Sequence, residues 1–118
     1  MQSRGPPQIY ATSDVHSPRY LSLLVSSLPE KGEACLFLLA GDIVDRGRVE
    51  AAKPVFDAVR QKFPGSKLVA VFGNEEYHDR EDEYRRAYPY VDWLSDEYRI
   101  YDCNGTSIAI IGTRGAID

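Results

Sequence analysis

The chain has 118 residues, 43% of them hydrophobic and 27% charged, with a formal net charge of −4. That length supports one domain rather than two, and the acidic balance argues against a general nucleic-acid binder, whose footprint would be a basic patch. No apolar run approaches the roughly 20 residues of a membrane span. Met1 to Gln8, with Gly5, Pro6 and Pro7, lacks the apolar segment of a secretory signal, so a cytoplasmic location is expected.

In chain order, strands alternate with helices. Gln8 to Thr12 is a short strand and Ser13 to Arg19 a loop. Tyr20 to Leu28 carries a helical apolar stripe closed by Pro29. Ala34 to Ala40 is a continuous apolar run between Gly32 and Gly41, the pattern of a strand buried on both faces. Val49 to Phe63 is helical, with Val55, Phe56, Val59 and Phe63 on one stripe. Pro54 either kinks it or lies in the first turn of a regular helix starting near Lys53. Lys67 to Phe72 is a third buried strand. Asp79 to Ala87 is a charged surface helix, and Tyr90 to Leu94 adds a further helical turn. Arg99 to Cys103 and Thr106 to Ile111 flank Asn104-Gly105, a hairpin signal because both central positions of a type I′ turn need positive φ. Gly112 to Asp118 is turn-like. Cys35 and Cys103 sit in apolar runs and are read as buried free thiols of a reducing compartment, with a Cys35–Cys103 disulfide as the alternative for a hyperthermophilic source.

This alternation predicts an α/β fold, a mostly parallel sheet with helical crossovers, to which the carboxyl-terminal β-hairpin adds antiparallel strands. Ligands of such sheets bind at the carboxyl ends of the parallel strands. Each of the three strands runs into a polar cluster: Asp14 and His16, then Asp42 and Asp45, then Asn74 and Glu75. In an extended segment residues two apart share a face, so Asp14 and His16 are expected to address one ion. Gly41 and Gly47 bracket Asp42, Asp45 and Arg46 and let the backbone turn sharply. Carboxylate, imidazole and amide donors together suit Mn²⁺, Fe²⁺ or Zn²⁺, and Mg²⁺ less well. A carboxylate shared by two ions holds them about 3.5–4 Å apart, where they lower the pKa of a bridging water.

Each residue alone has a plainer explanation. Asp14 reads as a helix N-cap, Asp42 and Asp45 as turn residues, Asn74 as a left-handed residue beside Gly73 and His16 as a surface histidine. Their joint order at three strand ends is what points to metal chemistry. The acidic run Glu75, Glu76, Asp79, Glu81, Asp82 and Glu83 reads as a solvated helix face, and the neighbouring tyrosines as packing groups.

Asp14-x-His16, Gly41-Asp42-x-x-Asp45-Arg46-Gly47 and Gly73-Asn74-Glu75 resemble the first three motifs of the calcineurin-like metallophosphoesterases, over Ile9 to Asp118. The resemblance implies half of an αββα sandwich, two divalent metal ions, and hydrolysis of a phosphomonoester or phosphodiester, in a small molecule or a nucleotide, by a dinuclear metal-activated water. It implies Asp14 and His16 on the first metal, Asp42 between the two, and Asn74 on the second. Asp45 becomes an outer residue of the cleft, with Arg46 pairing with it or approaching a phosphate oxygen. Two departures stand out. The family's His after the Asn, its general acid, is Glu75 here, and a carboxyl beside two cations tends to lose its proton; His78 is the nearest substitute. The family's three later histidines have no counterpart, so residues 1–118 read as a single domain truncated at its carboxyl end. These departures leave a second reading open, a non-catalytic binding or interaction module that forms a homodimer through an exposed sheet face. Arg114, after the hairpin, is a further candidate for a phosphate contact. No Gly-x-Gly-x-x-Gly or Walker-type loop supports a doubly wound nucleotide binder.

Overall fold

The structure, a computed structural model, describes residues 8–30 and 32–114. The elements run β1 (Ile9–Thr12), α1 (Leu21–Ser27), β2 (Leu36–Ala40), α2 (Lys53–Lys62), β3 (Lys67–Val71), α3 (Glu81–Ala87), β4 (Val91–Leu94), β5 (Glu97–Cys103) and β6 (Thr106–Gly112). Strands β1 to β4 form one parallel sheet in chain order.

The register explains the two buried faces. Phe37 lies opposite Leu68 and Leu68 opposite Val91, while Leu39 lies opposite Ala70 and Ala70 opposite Trp93. Successive strand residues face opposite ways, so these rows share one face and join the core with Val55, Phe56 and Val59 of α2 and Tyr84 of α3. The alternate row, Leu36, Val69 and Leu94, packs on the other face with Cys103. Each fully buried Leu, Val or Phe contributes on the order of 1.5–3 kcal/mol relative to exposure. Phe56 is the hinge of the first core: Tyr88 and Trp93 meet it edge-on at centroid distances of 4.9 and 5.8 Å.

Helix α2 starts at Lys53, after a 3-10 turn over Val49–Ala52, and places Pro54 in its first turn, where no intrahelical N–H is required. Asp14 caps nothing, since the N-cap position of α1 is Tyr20.

Four expectations are corrected. Tyr90 to Leu94 is not a helical turn: Val91–Leu94 is the fourth parallel strand, because Val91 and Trp93 alternate with Asp92 and Leu94 between two buried faces. The hairpin does not extend the parallel sheet. It forms a separate two-stranded sheet, with Asn104 and Gly105 at φ of 53° and 84° as the turn requires, and it lies over the second face of β2 to β4. The sheet face expected to be bare is therefore covered, and exposed apolar side chains stand instead on the hairpin, at Tyr98, Ile100 and Ile111, and on α1, at Leu23 and Val25. Cys35 and Cys103 are not free thiols. They form a disulfide with Cα atoms 5.7 Å apart, stapling the entry to β2 to the end of β5. Gly112 closes β6 rather than opening a turn, and residues 115–118 of that expectation lie outside the described residues. Among the described residues no helix is long and apolar enough to cross a membrane.

Candidate metal centre

The loops after β1, β2 and β3 meet at the carboxyl edge of the sheet. The ladder between β1 and β2 continues past the strands: Asp14 N–H donates to Gly41 O (3.1 Å), His16 N–H to Asp42 O (2.9 Å) and Ser17 N–H to Ile43 O (2.8 Å). The third loop joins through Gly47 N–H to Glu75 O (2.6 Å) and Glu75 N–H to Asp42 Oδ1 (3.0 Å).

This convergence uses a backbone different from the extended one expected. Asp14, His16, Asp42 and Arg46 all have positive φ, at 59°, 47°, 51° and 54°. A non-glycine residue in that region costs roughly 1–2 kcal/mol, so four such residues in two loops mark a place where tertiary contacts override local preference. Asp14 and His16 come together with both residues in the left-handed region, not through the alternation of a strand. Gly73 is needed for the approach: a Cβ there would collide with the carboxylate of Asp42 and stand 2.5 Å from its backbone nitrogen.

Ligand atoms of Asp14, His16 and Asp42 lie within 4.8 Å of one another, and those of His16, Asp45 and Glu75 form a second such group. His16 Nε2 is 3.7 Å from Asp14 Oδ1, and Nδ1 is 3.2 Å from Asp45 Oδ1. Although close enough for an ion pair, Nδ1 is buried and makes no hydrogen bond. An orphaned imidazole nitrogen among carboxylate oxygens fits a divalent cation, in chemistry and in spacing. Asn74 opens a 3-10 turn over Asn74–Glu76 and is exposed at the same edge, between Gly73 and Glu75, both of which approach Asp42.

The remaining candidates fall differently. Asp45 is buried, as an outer residue of the cleft would be, but its partner is Arg19, whose Nε lies 3.2 Å from Asp45 Oδ2. Arg46 is exposed and meets the site through its backbone N–H, which donates to Glu75 Oε1 at 2.9 Å. Arg19 was invisible in the sequence because the pairing depends on the bridge between Ser17 and Val44. Glu75 therefore braces the second loop with carboxylate, carbonyl and N–H at once. The His78 imidazole is 83% exposed, with Nδ1 3.1 Å from Glu81 Oε2. Arg114 turns two of its three guanidinium nitrogens to protein partners. It donates from Nε to Glu81 (2.8 Å) and from Nη1 to Gly73 O (2.5 Å), anchoring the third loop from behind.

Glu76 overturns the reading of its segment as a solvated face. Its side chain is fully buried, and its carboxylate receives the N–H groups of Gly73, Asp42 and Val44. Burial pushes its carboxyl above the usual range, and those three N–H groups pull it part of the way back.

A parallel α/β sheet whose carboxyl edge gathers carboxylates and an imidazole from three successive loops has the donor set to hold a divalent cation. Residues 7–115 match the family model described as calcineurin-like phosphoesterase, and the chain belongs to that family. No significant match was found among curated proteins or solved structures.

Proposed function

We propose that the protein is a metal-dependent phosphoesterase acting on a phosphomonoester or phosphodiester of a small molecule or nucleotide. The observation that carries this reading is the convergence of Asp14, His16 and Asp42 within 4.8 Å at the strand ends. These three residues would hold one divalent cation, and Asp42 with Asn74 would hold a second; Mn²⁺, Fe²⁺ or Zn²⁺ suits the donors best, with Mg²⁺ as the harder alternative. When bound, such ions polarise phosphoryl oxygens and make a water nucleophilic near neutral pH.

The chain's own residues do the rest. Glu75 N–H occupies Asp42 Oδ1 and leaves the other carboxylate oxygen for a cation. Asp45 places a negative charge beside the His16 ring and is itself balanced by Arg19. The exposed Arg46 supplies a guanidinium for a phosphate oxygen, whose geometry its planar fork matches. Glu75, engaged by the Arg46 N–H, is poorly suited to protonate a leaving oxygen. Esters with acidic leaving groups, which need no such proton, are therefore the favoured substrates.

The test is hydrolysis of bis-p-nitrophenyl phosphate and p-nitrophenyl phosphate with Mn²⁺. Asp42→Ala is expected to lower the rate roughly 100-fold or more; undiminished turnover in that variant would sink the mechanism.

Glu75 in the place of an imidazole, together with the exposed Tyr98, Ile100 and Ile111, favours a second reading: a non-catalytic interaction module that self-associates through the outer face of the hairpin. A monomer in sedimentation velocity that turns over either ester would exclude it. A cytoplasmic location belongs to either reading only where the cytosol tolerates the Cys35–Cys103 bridge.

A further inference from the structure

We propose that Glu76 is a positioning residue for the metal centre: its buried carboxylate clamps the second and third loops together and thereby holds Asp42 in its ligating posture. This rests on the reading of Asp14, His16 and Asp42 as metal ligands.

The clamp is visible in three hydrogen bonds. Glu76 Oε1 accepts from Gly73 N–H at 2.7 Å and from Asp42 N–H at 2.8 Å, while Oε2 accepts from Val44 N–H at 3.1 Å. The donors come from two loops, 32 and 34 residues away in the case of Val44 and Asp42. Glu76 itself is 0% exposed. The Gly41–Val44 turn cannot satisfy the Asp42 and Val44 amides within itself, because Asp42 sits at a φ of 51° and its own carboxylate is turned to Glu75 N–H. A carboxylate suits the position because it accepts at both oxygens and donates at neither.

The same geometry orders the site's contacts. Asp42 is held at its N–H by Glu76, at its carbonyl by His16 N–H and at its carboxylate by Glu75 N–H. Two of the three restraints come from backbone donors. Glu76 supplies the one that a side chain can remove. Because Gly73 N–H shares Oε1 with Asp42 N–H, one carboxylate oxygen ties the start of the third loop directly to Asp42. No substrate or cation contact is assigned to Glu76; it acts only through Asp42.

Glu76→Gln keeps the volume and one acceptor but must turn an NH₂ group toward Val44 N–H, or toward the Gly73 and Asp42 N–H pair, so one arm of the clamp opens. Glu76→Asp keeps the charge and shortens the reach by one methylene. Val59→Ala, in the core on α2 and away from the site, serves as a control of matched stability loss. Each protein is titrated with Mn²⁺ by calorimetry at a temperature where it is folded, alongside its melting curve.

We expect Glu76→Gln and Glu76→Asp to weaken Mn²⁺ binding about tenfold or more, in the range of residues that orient ligands, while Val59→Ala at an equal melting-temperature loss stays within about twofold of wild type. If Glu76→Gln does not fold, Glu76→Asp carries the same expectation. Wild-type Mn²⁺ affinity in the folded Glu76 variants, or an equal loss in Val59→Ala, overturns the positioning role and leaves the metal site standing. Absence of Mn²⁺ binding by the wild-type chain overturns the metal site, and the positioning role with it.

Discussion

Asp42 Oδ1 accepts the backbone N–H of Glu75 at 3.0 Å, while the Glu75 carboxylate turns back to Arg46 N–H at 2.9 Å. The tie to Asp42 is thus made by main chain and survives any side chain at position 75. Glu75→His should therefore keep the metal centre and add a proton donor. A general acid contributes about 10²–10⁴-fold where the leaving group is poor. We expect a gain of tenfold or more on an alkyl phosphoester and little change on p-nitrophenyl phosphate, measured as kcat with Mn²⁺. Equal gains on both esters would show that position 75 acts by some route other than proton donation.

Gly73→Ala tests the approach of the two loops. The added Cβ meets the Asp42 carboxylate and backbone rather than a flexible chain end, so Asp42 must move. With φ at −100°, Gly73 has no backbone need for glycine, and the cost falls on space alone. The variant should remain folded by circular dichroism and lose Mn²⁺ affinity by about tenfold or more.

The Cys35–Cys103 bridge closes a sequence separation of 68 residues and holds the hairpin on the second sheet face. Restriction of the unfolded chain by a loop of that length is worth about 4 kcal/mol. Reduction, or Cys35→Ser with Cys103→Ser, should lower the urea midpoint accordingly. An unchanged midpoint under dithiothreitol would mean that the packing of Leu36, Val69 and Leu94 holds the hairpin without the bridge.

Asp92 predicts an acid limb. Burial alone would raise its carboxyl, but Tyr101 OH (2.8 Å), Lys67 Nζ (3.1 Å) and Arg99 Nη1 (3.1 Å) outweigh burial and hold it below the usual carboxylate range. A depressed folded pKa contributes stability that is fully present above the unfolded value of about 3.9 and is lost as pH falls through the folded pKa. The melting-temperature gap between wild type and Asp92→Asn should therefore be widest near neutral pH and shrink as pH falls below about 4. A gap that widens in acid would contradict the assignment.

The three parallel strands, the α2 helix with Pro54 in its first turn and the Asn104-Gly105 hairpin were legible in the sequence because each is written in a local pattern: apolar runs, a helical stripe, a turn dipeptide. Position β4 was misread because Val91–Leu94 is too short for periodicity to separate a strand from a helical turn. Glu76 was misread because its acidic neighbours are exposed and only the return of the second loop encloses it.

By itself the sequence determined that Asp14, His16, Asp42 and Asn74 stand just beyond strands of one sheet, since strand ends and glycine-bracketed turns are local features. Only the tertiary structure decided who partners whom: Arg19 with Asp45, Glu75 and Glu76 with the Asp42 loop, Arg114 with Gly73, Cys35 with Cys103. Those choices depend on distances between segments far apart along the chain, which follow from how the sheet, its helices and the hairpin pack, and no local pattern carries them.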